Sequence, residues 1–349
     1  MRIRGLGDLG HFGVLLFFVH TSLVLMLSMR RLGLSGSRLY VAFMVRRIFR
    51  IYPLSVFIVL LVVALHIPFA PWFVGEMGRF VWPGWPGLFS NIFLIQNITH
   101  RQSVLNVLWS LPFEVQMYAA LPLLYLLMRR FPSFWAAWFA WLAAVSVAGL
   151  EYALLSARGN YDFLLLRYFP CFLAGVVAWR LISTQRRRLR GSLWMLFLLV
   201  LVALYRLEDV FRVYGPNWLG ALHGQLRNDH RIYLPPYIDL VRDWVFCGIT
   251  GLAIPFFVDL KSRWLNAMTK RIAQYSYGIY LSHVPIFWLC FVKLHLGSVA
   301  AGAALSIFLT ALVSLALYHW LEDPAIRMGK RVAARLSQRT TLQIQEEVA

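Results

Sequence analysis

The run Phe12-Gly-Val-Leu-Leu-Phe-Phe-Val-His-Thr-Ser-Leu-Val-Leu-Met-Leu-Ser28 carries no charge and is closed by Arg30 and Arg31. A helix rises about 1.5 Å per residue, so such a run approaches the ~30 Å of bilayer hydrocarbon, and cations at its end suit the headgroup boundary. No small-residue cleavage site follows, so it reads as a retained span rather than a secretory signal. Apolar runs recur near residues 51–67, 104–128, 133–150, 162–182, 193–207, 237–258, 275–296 and 299–321. Inside hydrocarbon every backbone N–H and C=O has to be satisfied within its own segment, which makes each run a helix. The expected fold is all-α, a polytopic transmembrane helix bundle of about nine spans.

Composition agrees. Of 349 residues 14% are charged, against about a quarter in a soluble domain, and 60% are hydrophobic, which excludes an ordinary water-soluble fold. The 34 Lys and Arg outweigh 15 Asp and Glu, for a net charge of +19. In a soluble chain that excess would suggest nucleic acid. Here the cations sit between apolar runs, where they mark cytoplasmic loops and meet anionic head groups, so membrane lipid is an expected partner and nucleic acid is not. Cys171, Cys247 and Cys290 lie inside apolar runs, and an odd count without loop spacing gives neither a disulfide framework nor a zinc site. The histidines are scattered without ligand spacing such as His-x-x-x-His, and no metal is expected.

One further run, 86–98, holds Asn91, Gln96 and Asn97 and is flanked by Trp82, Pro83, Trp85 and Pro86. It reads as a short re-entrant or interfacial segment. If it does not cross, the basic clusters at Arg30 to Arg50, Arg129 and Arg130, Arg180 to Arg190, Lys261 to Arg271, and Arg327 to Arg339 fall on one side, with most of the 34 cations. The positive-inside rule puts that side, and the C-terminus, in the cytoplasm and the 208–236 loop outside. A single membrane domain over 1–329 is expected, followed by a polar cytoplasmic tail over 330–349.

Ionisable groups inside apolar runs are costly and persist where they serve a pathway, a partner or a reaction. Arg46, Arg47 and Arg50 begin a span at the cytoplasmic side, and Arg46 and Arg50 share a helix face. They fit a bidentate clamp for a phosphate-bearing ligand, and equally a topology signal. Glu114 lies one turn after Trp109 and Ser110 and one turn before Tyr118, with no neighbour in sequence to neutralise it. It fits a base, a residue that orients a hydroxyl, or the partner of an arginine such as Arg242 or Arg167. In the last third, Ser276, Tyr280 and His283 lie on neighbouring faces of one helix, and His283 fits a proton shuttle or a histidine bonded to a backbone carbonyl. His20, beside Thr21 and Ser22, is the other mid-span histidine. The adjacent Arg242 and Asp243 point about 100° apart on a helix and are expected to pair elsewhere. His319 and Glu322, at i and i+3, read as a local cap or ion pair. The aromatic and polar residues Trp218, His223, Asp229, His230 and Tyr233 of the 208–236 loop suit sugars or the headgroup interface.

In order, Gly13-Val-Leu-Leu-Phe-Phe-Val19, Arg46-Arg-Ile-Phe-Arg-Ile-Tyr-Pro53, Trp109-Ser-Leu-Pro-Phe-Glu-Val-Gln-Met-Tyr118, Phe172-Leu-Ala-Gly175, Ser276-Tyr-Gly-Ile-Tyr-Leu-Ser-His283 and Glu322-Asp-Pro324 resemble the acyltransferase type 3 family of bacterial integral-membrane O-acyltransferases. The resemblance runs from about residue 10 to 330. It implies a bundle of about ten spans in the bacterial inner membrane that moves an acyl group, usually acetyl, from a coenzyme A thioester to a hydroxyl of a glycan, lipid-linked sugar or similar acceptor. Acyl-coenzyme A is then a donor substrate, and no bound cofactor is expected. The family opens with a span carrying an Arg-x-x-x-Leu-Asp-Gly-Leu-Arg-Gly-like motif and ending near a histidine thought catalytic. This sequence is expected to start after it, in accord with the charge pattern, and His11 and His20 are the histidines nearest that end.

On this reading Glu114, His283 and His20 are the candidate catalytic residues. Arg46, Arg47 and Arg50 would hold the donor phosphates, and Trp109, Ser110, Tyr118 and Tyr280 would line the substrate path. A transporter or flippase of a glycan precursor would bury a similar polar set, although no internal repeat or matched pair of broken spans is visible. An inactive or truncated assembly subunit is the third alternative.

Overall fold

The computed structural model describes residues 6–71, 78–156, 166–184, 189–214, 236–258, 262–294 and 298–348. Its helices are α1 (Leu6–Leu32), α2 (Gly36–Ala64), α3 (Gly84–Ile92), α4 (Leu111–Arg130), α5 (Phe134–Ser156), α6 (Phe169–Thr184), α7 (Ser192–Tyr214), α8 (Pro236–Ala253), α9 (Arg263–Trp288), α10 (Val299–Leu317) and α11 (Asp323–Val348). A 3₁₀ turn, Asn106–Ser110, leads into α4. Two π turns interrupt the last third: Leu289–Lys293 extends α9, and Tyr318–Glu322 joins α10 to α11. The tail expected from residue 330 continues α11 as helix.

Five of these segments are long and apolar enough to cross a membrane: Leu9–Leu32, Gly36–Ala64, Asn106–Arg130, Phe134–Leu155 and Val299–Leu336. Phe169–Ser183 and Ser192–Leu207 are apolar but shorter. In an aqueous protein the large side chains that α5 and α10 expose, among them Trp135, Phe139, Leu154, Ile307 and Phe308, would be an aggregation surface; against lipid they are the expected exterior. With 9 residues, α3 is about 14 Å long, too short to cross. The polar side chains in and after it are used internally. Asn91 donates to the carbonyls of Gly87 (2.9 Å) and Gln102 (3.0 Å), and Asn97 and Gln116 exchange amide hydrogen bonds at 3.3 and 2.9 Å.

The chain forms two compact units, Met1–Arg31 with Leu127–Lys261, and Leu32–Leu126 with Ser262–Ala349. In the first, α6 is the central helix, packed against α5 and α8. Gly175 explains part of the Phe172-Leu-Ala-Gly175 motif: a Cβ there would overlap the Val19 carbonyl oxygen and come within 2.8 Å of the Ser22 Cβ. Phe172 stacks on Phe18 at 4.2 Å, so α1 and α6 touch through backbone and ring. Helices that share a hydrocarbon solvent gain most from such close van der Waals approach.

In the second unit, α2 and α11 pack along much of their length, as do α9 and α10. Gly329 is again a contact point. A Cβ there would meet the Phe49 Cβ at 2.6 Å, so glycine lets α11 lie directly on α2 beside Arg50. Tyr277 of α9 donates to the Ile51 carbonyl at 3.0 Å and ties α9 to the same stretch of α2.

Candidate active site

Arg46, Arg47 and Arg50 do not follow a loop, as the expected span start near residue 51 implied. They lie well inside α2, which begins at Gly36 after the Gly33 break, because the mixed polar and apolar stretch from Gly36 to Arg50 holds helical hydrogen bonds as readily in water as beyond it. The 29 residues of α2 measure about 43 Å, so its final ~30 Å starts close to Val45 and the three arginines fall in the first turns of the hydrocarbon-length part. All three are half-buried. The Arg47 guanidinium lies between two rings, 5.6 Å from the Phe43 centroid and 5.8 Å from that of Tyr118. The Nε atoms of Arg46 and Arg47 are buried without a hydrogen-bond partner. Each therefore retains a donor that a ligand oxygen can use.

Glu114 sits in the first turn of α4, where the helix dipole favours a negative charge. It is buried, and Tyr118, one turn on, donates its hydroxyl to Oε1. The cations acting on it are Arg47 and Arg50. Arg242 and Arg167, the partners considered from sequence, belong to the other unit. Arg242 lies 3.4 Å from Asp239 and 3.6 Å from Asp243, contrary to the expectation that adjacent Arg242 and Asp243 pair elsewhere: the flexible guanidinium stem reaches back across the ~100° that separates their Cα–Cβ bonds. The Arg167 guanidinium lies 5.1 Å from the Tyr168 ring centroid.

Ser110 and Tyr280 meet at 2.8 Å, and the Tyr280 hydroxyl donates to the Val107 carbonyl at 2.7 Å, fastening α9 to the 3₁₀ turn that carries Trp109. Trp109 is half-buried in this turn. The Nδ1–H of His283 donates to the Tyr280 carbonyl at 2.8 Å, which leaves Nε2 as the basic nitrogen. His283 also lines a groove of about 430 Å³ with Ile279, Phe287, Ser306 and Thr310.

Nine of the ten proposed residues, Arg46, Arg47, Arg50, Trp109, Ser110, Glu114, Tyr118, Tyr280 and His283, thus belong to one compact unit. His20 does not. It is exposed on α1 in the first unit. The loop residues Trp218 to Tyr233 lie outside the described residues.

Two pairs went unread in sequence. Glu322 does not cap locally with His319: its carboxylate faces Arg50 Nη1 at 3.8 Å, while His319 contacts the Tyr275 hydroxyl at 3.4 Å. The π turn widens the helix there and takes the i, i+3 pair out of register. The other is His11, whose Nε2 meets Asp243 Oδ2 at 2.8 Å while Tyr205 donates to Oδ1 at 3.0 Å. An acid in an apolar run was the available signal, but its partners His11 and Tyr205 are 232 and 38 residues away.

A family model described as acyltransferase domain matches residues 3–319. No curated protein and no solved structure matches the chain. The family match extends into both compact units and includes every motif before the second π turn. With several helices apolar enough to cross a bilayer, this is a multi-pass membrane protein, and the chain belongs to the acyltransferase type 3 family.

Proposed function

We propose that this protein takes an acyl group, acetyl in the simplest case, from a coenzyme A thioester and places it on a hydroxyl of a glycan or lipid-linked sugar. The observation that carries the reading is the grouping of three half-buried arginines with the buried Glu114–Tyr118 pair in one unit. A phosphate-bearing donor needs the first and an alcohol acceptor needs the second. The site lies in the bacterial inner membrane, with the C-terminus and the arginine end of α2 on the cytoplasmic side where coenzyme A is found.

The thioester is already activated, so the work left is to hold it, deprotonate the alcohol and stabilise the oxyanion. Arg46, Arg47 and Arg50 bind the donor phosphates. Glu114 receives the acceptor's proton as the alcohol oxygen attacks the acyl carbon. The C–O bond forms, the C–S bond breaks, and the departing thiolate is protonated. Tyr118 holds one carboxylate oxygen, leaving the other for the acceptor. Ser110, Trp109 and Tyr280 line the approach, and His283 offers Nε2 as a proton relay along it. His20 stands apart from this scheme.

The test is transfer of radiolabelled acetyl from acetyl-coenzyme A to envelope glycan by the purified protein in liposomes. Label in glycan that falls by about 10²–10⁴-fold in Glu114→Gln supports the reading. Absence of transfer, with transport of an unlabelled glycan precursor instead, overturns it.

A further inference from the structure

Glu322 ends the π turn Tyr318–Glu322 and is 1% exposed, yet neither carboxylate oxygen has a hydrogen-bond partner. Arg50 Nη1 stands 3.8 Å from Oε1, close enough to balance the charge but too far to donate. The neighbouring polar groups are committed elsewhere. Asp323 pairs with Arg327 at 3.1 Å, His319 contacts Tyr275, and Tyr277 donates to the Ile51 carbonyl. The helix that follows it, α11, lies directly on α2, where Gly329 admits Phe49, the residue that precedes Arg50. Up to four acceptor sites are thus held, unfilled, beside a cation. An unmade hydrogen bond of this kind is expensive in an apolar setting, and buried orphans of this sort mark places where a ligand completes the shell.

The ligand has to satisfy two neighbours of opposite demand. Arg50, with Arg46 and Arg47, calls for an anion; Glu322 repels one and calls for N–H or O–H donors. A bare phosphate meets only the first demand; a nucleotide adds ribose hydroxyls and an adenine amino group, a source of donors that titration with the adenosine half separates from the pantetheine arm. A phosphopantetheine thioester meets both, because its arm carries two amide N–H groups and a hydroxyl next to the phosphates. We infer that Glu322 is a donor-binding residue that accepts hydrogen bonds from the amide or hydroxyl groups of the pantetheine arm of acyl-coenzyme A, beside phosphates held by the α2 arginines. This rests on the donor assignment under Proposed function and deepens it. Glu322 makes the site select the thioester-bearing arm over the nucleotide alone.

The experiment is calorimetric titration of the purified 349-residue protein, wild type, Glu322→Gln and Glu322→Ala, with coenzyme A and with its bisphosphorylated adenosine half, which lacks the arm. In Glu322→Gln a charge-assisted bond becomes a neutral one, and coenzyme A should bind about fivefold more weakly. In Glu322→Ala the loss should be about tenfold or more. The adenosine half should bind both variants as well as wild type, or more tightly as repulsion is removed. Equal changes for the two ligands, or none, overturn the inference while leaving the donor assignment standing. A wild-type protein that binds neither ligand overturns the donor assignment, and the inference falls with it. Thermal melting of each variant establishes that it is folded, and if Glu322→Ala is not, Glu322→Gln alone decides.

Discussion

His11 and Asp243 are 232 residues apart in the chain and 2.8 Å apart in space. Asp243 is 1% exposed and also takes the Tyr205 hydroxyl at 3.0 Å, while the Arg242 guanidinium lies 4.3 Å from the Tyr205 ring centroid. The acid therefore joins α1, α7 and α8 at one point. Substituting Asp243→Ala should cost about 3–5 kcal/mol, since it leaves polar partners buried without their acceptor, and Asp243→Asn should cost less because it keeps two hydrogen-bond positions. Melting temperatures in detergent order the three proteins. A Tyr205→Phe variant combined with Asp243→Ala should add little to Asp243→Ala alone, because the partner is already lost.

At Arg47 charge and geometry separate. Arg47→Lys keeps the topology signal but loses the planar fork that lies between the Phe43 and Tyr118 rings. Coenzyme A binding should weaken about tenfold while membrane insertion and yield stay unchanged. Donor affinity equal to wild type would reduce Arg47 to a topology determinant.

The Tyr118 hydroxyl donates to Glu114. Removing it in Tyr118→Phe leaves the carboxylate in place but less firmly held, so acetyl transfer should drop by roughly tenfold. The double variant Tyr118→Phe with Glu114→Gln should be no slower than Glu114→Gln alone, as expected when two residues act as one unit. Independent, multiplying losses would show that Tyr118 contributes apart from Glu114.

Two helical glycines give a paired test of packing. At Gly175 an added Cβ collides with the α1 backbone, including Leu23 N at 2.9 Å, and backbone cannot move aside. Gly175→Ala should destabilise by about 1–3 kcal/mol. At Gly149 nothing lies within 4 Å, so Gly149→Ala should be neutral or stabilise by up to about 1 kcal/mol through helix propensity. Comparable melting of both variants would contradict the close α1–α6 approach.

Most of the helices are readable without coordinates, because hydrocarbon leaves the backbone no other way to satisfy its polar groups and because apolar length is a one-dimensional quantity. The runs at 104–128 and 133–150 correspond to described helices within a few residues, and Asn91, Gln96 and Asn97 announce a segment that does not cross. The extent of α2 is less readable. Its start at Gly36 lies in Gly-Ser-Arg sequence where water and helix compete evenly, so hydropathy says nothing about it. Within the site, Glu114 with Tyr118 is legible as i and i+4 on one helix face, as is the shared face of Arg46 and Arg50.

Residue identity and spacing thus determine which groups are placed in apolar surroundings at a cost, and hence which call for a function. Which of them meet is settled by packing. Arg50 faces Glu322 across 3.8 Å because Gly329 admits α11 against Phe49 and a π turn rotates the carboxylate inward, and His11 reaches Asp243 because three helices of one unit converge. Charge attraction at short range depends on side-chain positions fixed by van der Waals contacts over hundreds of residues of separation, and no local pattern encodes those contacts.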